Sequence, residues 1–186
     1  VMDMYLPTLP AMSDFFQTTS SRVQLGLTTS MVGLATGQLI FGPLSDKYGR
    51  RSPLLIAMAL FLISTVGCIF SQNISQFVAL RFVQGIAGAG GVVISRSIAA
   101  DKYSAHELAG MLATIGAING IATVVAPIGG GVLADFGGWH GIFWFLFIVG
   151  VLLIIGSMRF RESLPGGQRQ NIRWGDMYRR FGIVLH

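Results

Sequence analysis

Long uncharged runs separated by short charged ones set the pattern of this chain. Val23 to Leu44 carries no charged residue, and neither does Ser52 to Leu80. Each is long enough to hold a bilayer-crossing helix of ~20 residues, and the second begins with one. Continued along the sequence, the pattern predicts helices over about 1–12, 23–44, 53–71, 76–99, 107–134 and 139–158, the first cut short at its start. Ser13 to Arg22 reads as a short polar loop, and Gln72 to Ser75 as a tight uncharged one. From 159 to 186 the chain turns polar and basic, with Pro165-Gly166-Gly167 as a breaker. That stretch reads as a linker, with a short amphipathic helix near Trp174 to Phe181.

Composition and charge give the runs their meaning. Charged residues make up 11% of the chain, against about 25% in a soluble domain. The fold class is therefore an all-α integral membrane protein. A net charge of +5 invites a nucleic-acid reading, but such a footprint forms one stripe on one face. Here Lys47, Arg50 and Arg51 share one loop, Arg96 and Lys102 flank another, and Arg159, Arg161, Arg169, Arg173, Arg179 and Arg180 lie in the linker. Arg22 and Arg81 are the exceptions. This bias places those loops and the linker in the cytoplasm and excludes nucleic acid as a partner. Cys68 stands alone in an apolar run, so it can form no disulfide within the chain and reads as a packing residue. Trp139, His140 and Trp144 read as anchors at the outer interface.

Gly42-Pro43-Leu44-Ser45-Asp46-Lys47-Tyr48-Gly49-Arg50-Arg51 reads as a very short loop between helices two and three. Gly49 can turn the chain at φ > 0, and Ser52-Pro53 restarts a helix as N-cap and first-turn proline. The positive-inside rule explains the basic residues but not Asp46, Gly42 or the spacing. The pattern G-x-L-x-D-x-x-G-R-R resembles the loop signature of the major facilitator superfamily. Gly131-Val132-Leu133-Ala134-Asp135-Phe136-Gly137-Gly138 echoes it, with Gly, Leu, Asp and Gly in register. Two inverted three-helix units, as in each half of that fold, would produce the echo.

Two ionisable residues fall inside spans. Asp3 lies in Asp3-Met4-Tyr5-Leu6-Pro7-Thr8-Leu9-Pro10, where Pro7 and Pro10 remove the helical partners of the Asp3 and Leu6 carbonyls. An intramembrane acid is expensive without a task or a partner. Arg81 shares a 100° sector of helix four with Gln84, Gly85 and Gly88, a polar pair followed by small residues. Snorkelling to the outer interface is its plainer alternative. The cluster from Gly85 to Gly91 lacks the strand and lysine of a phosphate loop and reads as a helix-packing face. His106, His140 and His186 lie near loops or ends without a paired nucleophile, which argues against an intramembrane enzyme.

Further motifs narrow the resemblance. Arg81-Phe82-Val83-Gln84-Gly85 is similar to the R-x-x-Q-G motif of drug–proton antiporters. Ala126-Pro127-Ile128-Gly129-Gly130-Gly131 is similar to their helix-five motif, with alanine at Ala113, Ala122 and Ala126 where glycine is expected. Together with Asp3-x-Tyr5-x-Pro7-x-x-Pro10 and Glu162-Ser163-Leu164-Pro165, these look most like the bicyclomycin- and chloramphenicol-resistance (Bcr/CflA) branch. The resemblance implies a major facilitator N-terminal six-helix bundle in a bacterial inner membrane, completed by a C-terminal half. It implies export of small lipophilic drug-like compounds against protons, with the proton as coupling ion and no cofactor or metal. Asp3 and Arg81 would couple the proton, and Tyr5, Gln84 and Gly85 would face the substrate cavity. Pro127, Gly130 and Gly131 would form the helix-five motif. Gly42, Asp46, Gly49, Arg50, Arg51 and Asp101 would form a cytoplasmic latch. A metabolite or sugar carrier on the same scaffold, or a non-transporting membrane fragment, remains the alternative.

Overall fold

The computed structural model describes residues 4 to 159 together with Glu162. All of its regular elements there are helical. A 3-10 turn, Leu6–Thr8, leads into α1, Leu9–Phe15. Then follow α2, Ser20–Tyr48; α3, Arg51–Ile69; α4, Ile74–Lys102; and α5, Ala105–Met158. The readings of Asp3 and of the linker, Arg159 and Glu162 apart, lie outside the described residues.

Pro7 and Pro10 shape the opening. The Tyr5 carbonyl accepts from the Thr8 amide at 2.9 Å and from the Thr8 hydroxyl at 2.7 Å. A tight turn thus replaces the α-helix where proline has removed its donors.

The 54 residues of α5 would extend about 80 Å as one rod at 1.5 Å per residue, far beyond a ~30 Å hydrocarbon core. The helix instead breaks at Gly137 (φ −142°, ψ 16°) and Gly138 (φ 59°, ψ −162°) into arms 105–136 and 139–158. Gly138 takes a backbone that side chains rarely allow. The two arms stand where helices five and six are expected, so the described chain has six helical segments.

Small residues let α2 and α4 touch. Gly33 lies against the Phe82 carbonyl, Gly37 against Ile86, and Gly85 against the Ser30 carbonyl; a Cβ at any of them would strike backbone. At that separation side chains bond across the interface, Ser30 Oγ to the Arg81 carbonyl at 3.1 Å and Thr29 Oγ1 to the Val78 carbonyl at 3.2 Å. This is association by small residues and interhelical hydrogen bonds. The glycines of α4 divide in two. Gly85 and Gly90 are packed tight, whereas Gly88 and Gly91 meet nothing among the described residues and line a cavity.

Several expected boundaries move. Ser13 to Phe15 is helical and α2 starts at Ser20, so the first loop is only four residues. Asn73 caps α4, its side chain accepting from the Gln76 amide at 2.9 Å. Ser104 and Glu107 close a capping box at the start of α5. The larger correction concerns the signature. Gly42 through Tyr48 is the last part of α2, not loop, and only Gly49 and Arg50 separate it from α3. Ser52 is not the cap either, since α3 begins at Arg51 without a side-chain cap of its own. The helix outlasts its apolar run because its residues keep their backbone bonds whether or not their side chains suit lipid.

Candidate functional site

Two polar clusters are built into the bundle. The first lies deep, between α2, α3, α4 and the second arm of α5. Arg81 is 2% exposed and Gln84 3%, which removes the snorkelling alternative. The Arg81 guanidinium donates through Nη1 to Gln84 Oε1, and Gln84 Nε2 donates to Thr65 Oγ1 at 2.6 Å. Thr65, on α3, was not singled out from the sequence; a hydroxyl in an apolar run gives no sign of what it faces. Tyr5 and Phe143 offer ring faces, with the guanidinium carbon 4.9 Å and 6.0 Å from their centroids. Nε and Nη2 of Arg81 have no hydrogen-bond partner among the described residues. A cavity of about 340 Å³ opens beside this group, with Leu34, Phe61, Leu146 and Val149 among its walls. A buried cation with unfilled donors at the edge of an apolar hollow is a costly arrangement, and cost of this kind concentrates at working sites.

The helix-five residues meet this cluster unevenly. Gly130 lies against the Met4 carbonyl, leaving no room for a Cβ, so it lets the start of the chain cross α5. Gly131 meets nothing within 4 Å. Pro127 sits within a continuous helix, half-buried.

The second cluster is at the opposite end of the bundle. Gly49, at φ 93°, makes the turn that brings Arg50 back over α2. Arg50 is 7% exposed. Its Nε lies 2.9 Å from Asp101 Oδ2 and its Nη2 3.3 Å from Oδ1, a two-pronged contact with the last turn of α4. Nη1 bonds Asp46 and, at 2.8 Å, Ser45 Oγ. Burial works against the Arg50 charge, but the hydrogen bonds and negative charges of Asp101 and Asp46 outweigh it and raise the guanidinium above its ordinary value. Arg51 points elsewhere, its Nη2 donating to the Met158 carbonyl at 2.9 Å. Gly42 neither turns nor packs closely; a Cβ there would meet only Val93 Cγ1, at 3.8 Å.

Glu162 completes the cluster. Its carboxylate accepts from the Arg50 amide at 2.8 Å and the Arg51 amide at 3.3 Å. It therefore does for α3 what Ser52 does not, placing a negative charge on two orphan donors at a helix N-terminus. No local spacing announces a cap from 112 residues away. Glu162→Ala should lower stability by about 0.5–2 kcal/mol, read as the unfolding midpoint in detergent, with Glu162→Gln losing less. Equal midpoints for all three proteins would show that the cap is idle.

Comparison with known proteins places this arrangement in a family. The family model described as Major Facilitator Superfamily matches residues 1–183. The chain belongs to this superfamily. It is 41% identical over 99% of its length to an uncharacterized superfamily-type transporter of Bacillus subtilis (strain 168), covering 46% of that protein. To a bicyclomycin resistance protein homolog of Haemophilus influenzae it is 35% identical, over 81% of this chain and 38% of the relative. A solved proton:xylose symporter superposes with a TM-score of 0.71 at 20% identity, over 87% of this chain and 41% of that one. The chain thus spans less than half the length of the relatives it matches. Superfamily membership and long apolar helices together make it an integral membrane protein. Asp46 and Arg50 lie in the run that resembles the superfamily loop signature, and Asp101 joins them from α4.

Proposed function

We propose that this chain is the N-terminal bundle of a multidrug exporter that exchanges small lipophilic compounds for protons. The observation that carries the proposal is Arg81, held buried at the wall of an apolar cavity with Nε and Nη2 unfilled by any described residue. A structural role alone would be served better by an apolar residue. The similarity to a bicyclomycin resistance protein homolog supports the drug class. A C-terminal half would complete the transporter. The first arm of α5 suits that contact or lipid, because Ile118, Ile121, Val124 and Ile128 are all more than half exposed. The signature end, with its basic residues, faces the cytoplasm, and the membrane is the bacterial inner membrane.

Asp3 is the proton carrier in this proposal. It precedes Tyr5 by two residues, and the Tyr5 ring stacks on Arg81. A substrate entering the cavity favours the ionised carboxyl and expels its proton; the empty carrier returns with the acid neutral, because an unpaired buried charge is costly. Asp3→Asn should then fold and bind neutral drugs yet lose uphill export driven by a pH gradient. The measurement is drug-induced proton release from the purified full-length protein, beside efflux in vesicles. Undiminished release and export in the Asn variant would move the coupling site elsewhere.

A further inference from the structure

The turn between α2 and α3 and the turn inside α5 are built alike. Gly49 and Gly138 are the glycines with positive φ among the described residues. Each follows an aspartate, Asp46 or Asp135, by three positions, and each is followed by a buried residue, Arg50 or Trp139. Arg50 starts the third helix of the first unit and grips the end of α4, the first helix of the second unit. Trp139 starts the third helix of the second unit and meets the end of α1, the first helix of the first. Its ring centroid lies 5.3 Å from that of Phe15 and 5.5 Å from that of Phe16. One junction is closed by charge and the other by aromatic packing. Trp139 is therefore no interfacial anchor. It is 4% exposed, with the His140 ring packed over it at 3.6 Å.

We propose that Trp139 is the aromatic counterpart of the Arg50 latch, a clasp that holds the ends of α1, α4 and the second arm of α5 together. Phe77, at the start of α4, lies 6.2 Å from Trp139, and Phe143 lies 5.9 Å away. Phe143 and Tyr5, neighbours at 6.3 Å, both turn a ring to Arg81. Trp139 is thus a positioning residue for the buried guanidinium as well as a clasp. The chemistry of the two ends predicts opposite sensitivities. An ionic junction at a partly wet surface is screened by salt, whereas offset and edge-on ring packing is not.

The test uses pairs of spin labels in the full-length protein in nanodiscs. Asp14 with Phe136 reports the Trp139 end and Tyr48 with Tyr103 the Arg50 end; all four are exposed, while Cys68 is buried and escapes labelling. Trp139→Ala should replace the single narrow distance at its own end by a broad one and leave the other end unchanged, and Trp139→Phe should restore it. Arg50→Gln should do the reverse, and raised salt should broaden only the Arg50 end. If Trp139→Ala does not fold, Phe16→Leu carries the same comparison. An unchanged Trp139-end distance, equal broadening at both ends, or failure of Phe to restore would overturn the proposal.

Discussion

Gly85→Val should leave little folded protein. A Cβ at Gly85 falls on the Ser30 carbonyl, so the obstacle is backbone, which cannot rotate away as a side chain can. Making room means parting α2 from α4. That would break the Ser30–Arg81 and Thr29–Val78 hydrogen bonds and unseat Arg81 from its ring partners. Two hydrogen bonds near 1 kcal/mol each, added to the strain of overpacking, give a loss of at least about 3 kcal/mol. Gly42→Ala is the control. It lies in the loop signature, yet its Cβ would make one ordinary contact at 3.8 Å, and alanine favours a helix interior by up to about 1 kcal/mol. Fluorescence-detected size exclusion after a heat step would read both variants. A Gly85→Val protein as heat-stable as its parent would show that the two helices are not locked together here.

Arg81→Met should raise stability and abolish coupled transport. Gln84 and two aromatic rings hold the guanidinium, contributing about 1.5–3 kcal/mol for the charged hydrogen bond and about 2 for a desolvated cation–π contact. Against this stand a burial penalty of several kcal/mol and two guanidinium nitrogens without a partner among the described residues, at about 1–3 kcal/mol each. Methionine follows much of the same path as the arginine stem and fills irregular space. Gln84 keeps its bond to Thr65. The balance favours methionine by about 1–3 kcal/mol. Unfolding midpoints give the first half of the result, and pH-driven efflux gives the second. A variant that is less stable and still couples would make Arg81 a structural residue.

What the sequence determined by itself is local. Bilayer thickness translates directly into run length, so four of the six helical segments were legible from uncharged stretches alone, whereas α4 carries Arg81 and Arg96 within it. Turn chemistry is equally local: Gly49 turns at positive φ because the chain must reverse within two residues, and Pro7 breaks the opening helix because it has no donor. The signature and its echo were visible as letters because each unit repeats the same Asp-to-Gly spacing.

Only the tertiary structure decided which distant residues meet. Asp46 and Arg50, four apart, belong together by sequence, but Asp101 comes to them from another helix and Glu162 from more than a hundred residues away. Thr65 gained its place beside Gln84, and Trp139 went into the core rather than to an interface, through packing that no period records. Polar groups in an apolar span must find partners, and the sequence says only that they must. Which partner each finds depends on how closely the helices approach, and at Gly33, Gly37 and Gly85 that closeness is set by backbone meeting backbone.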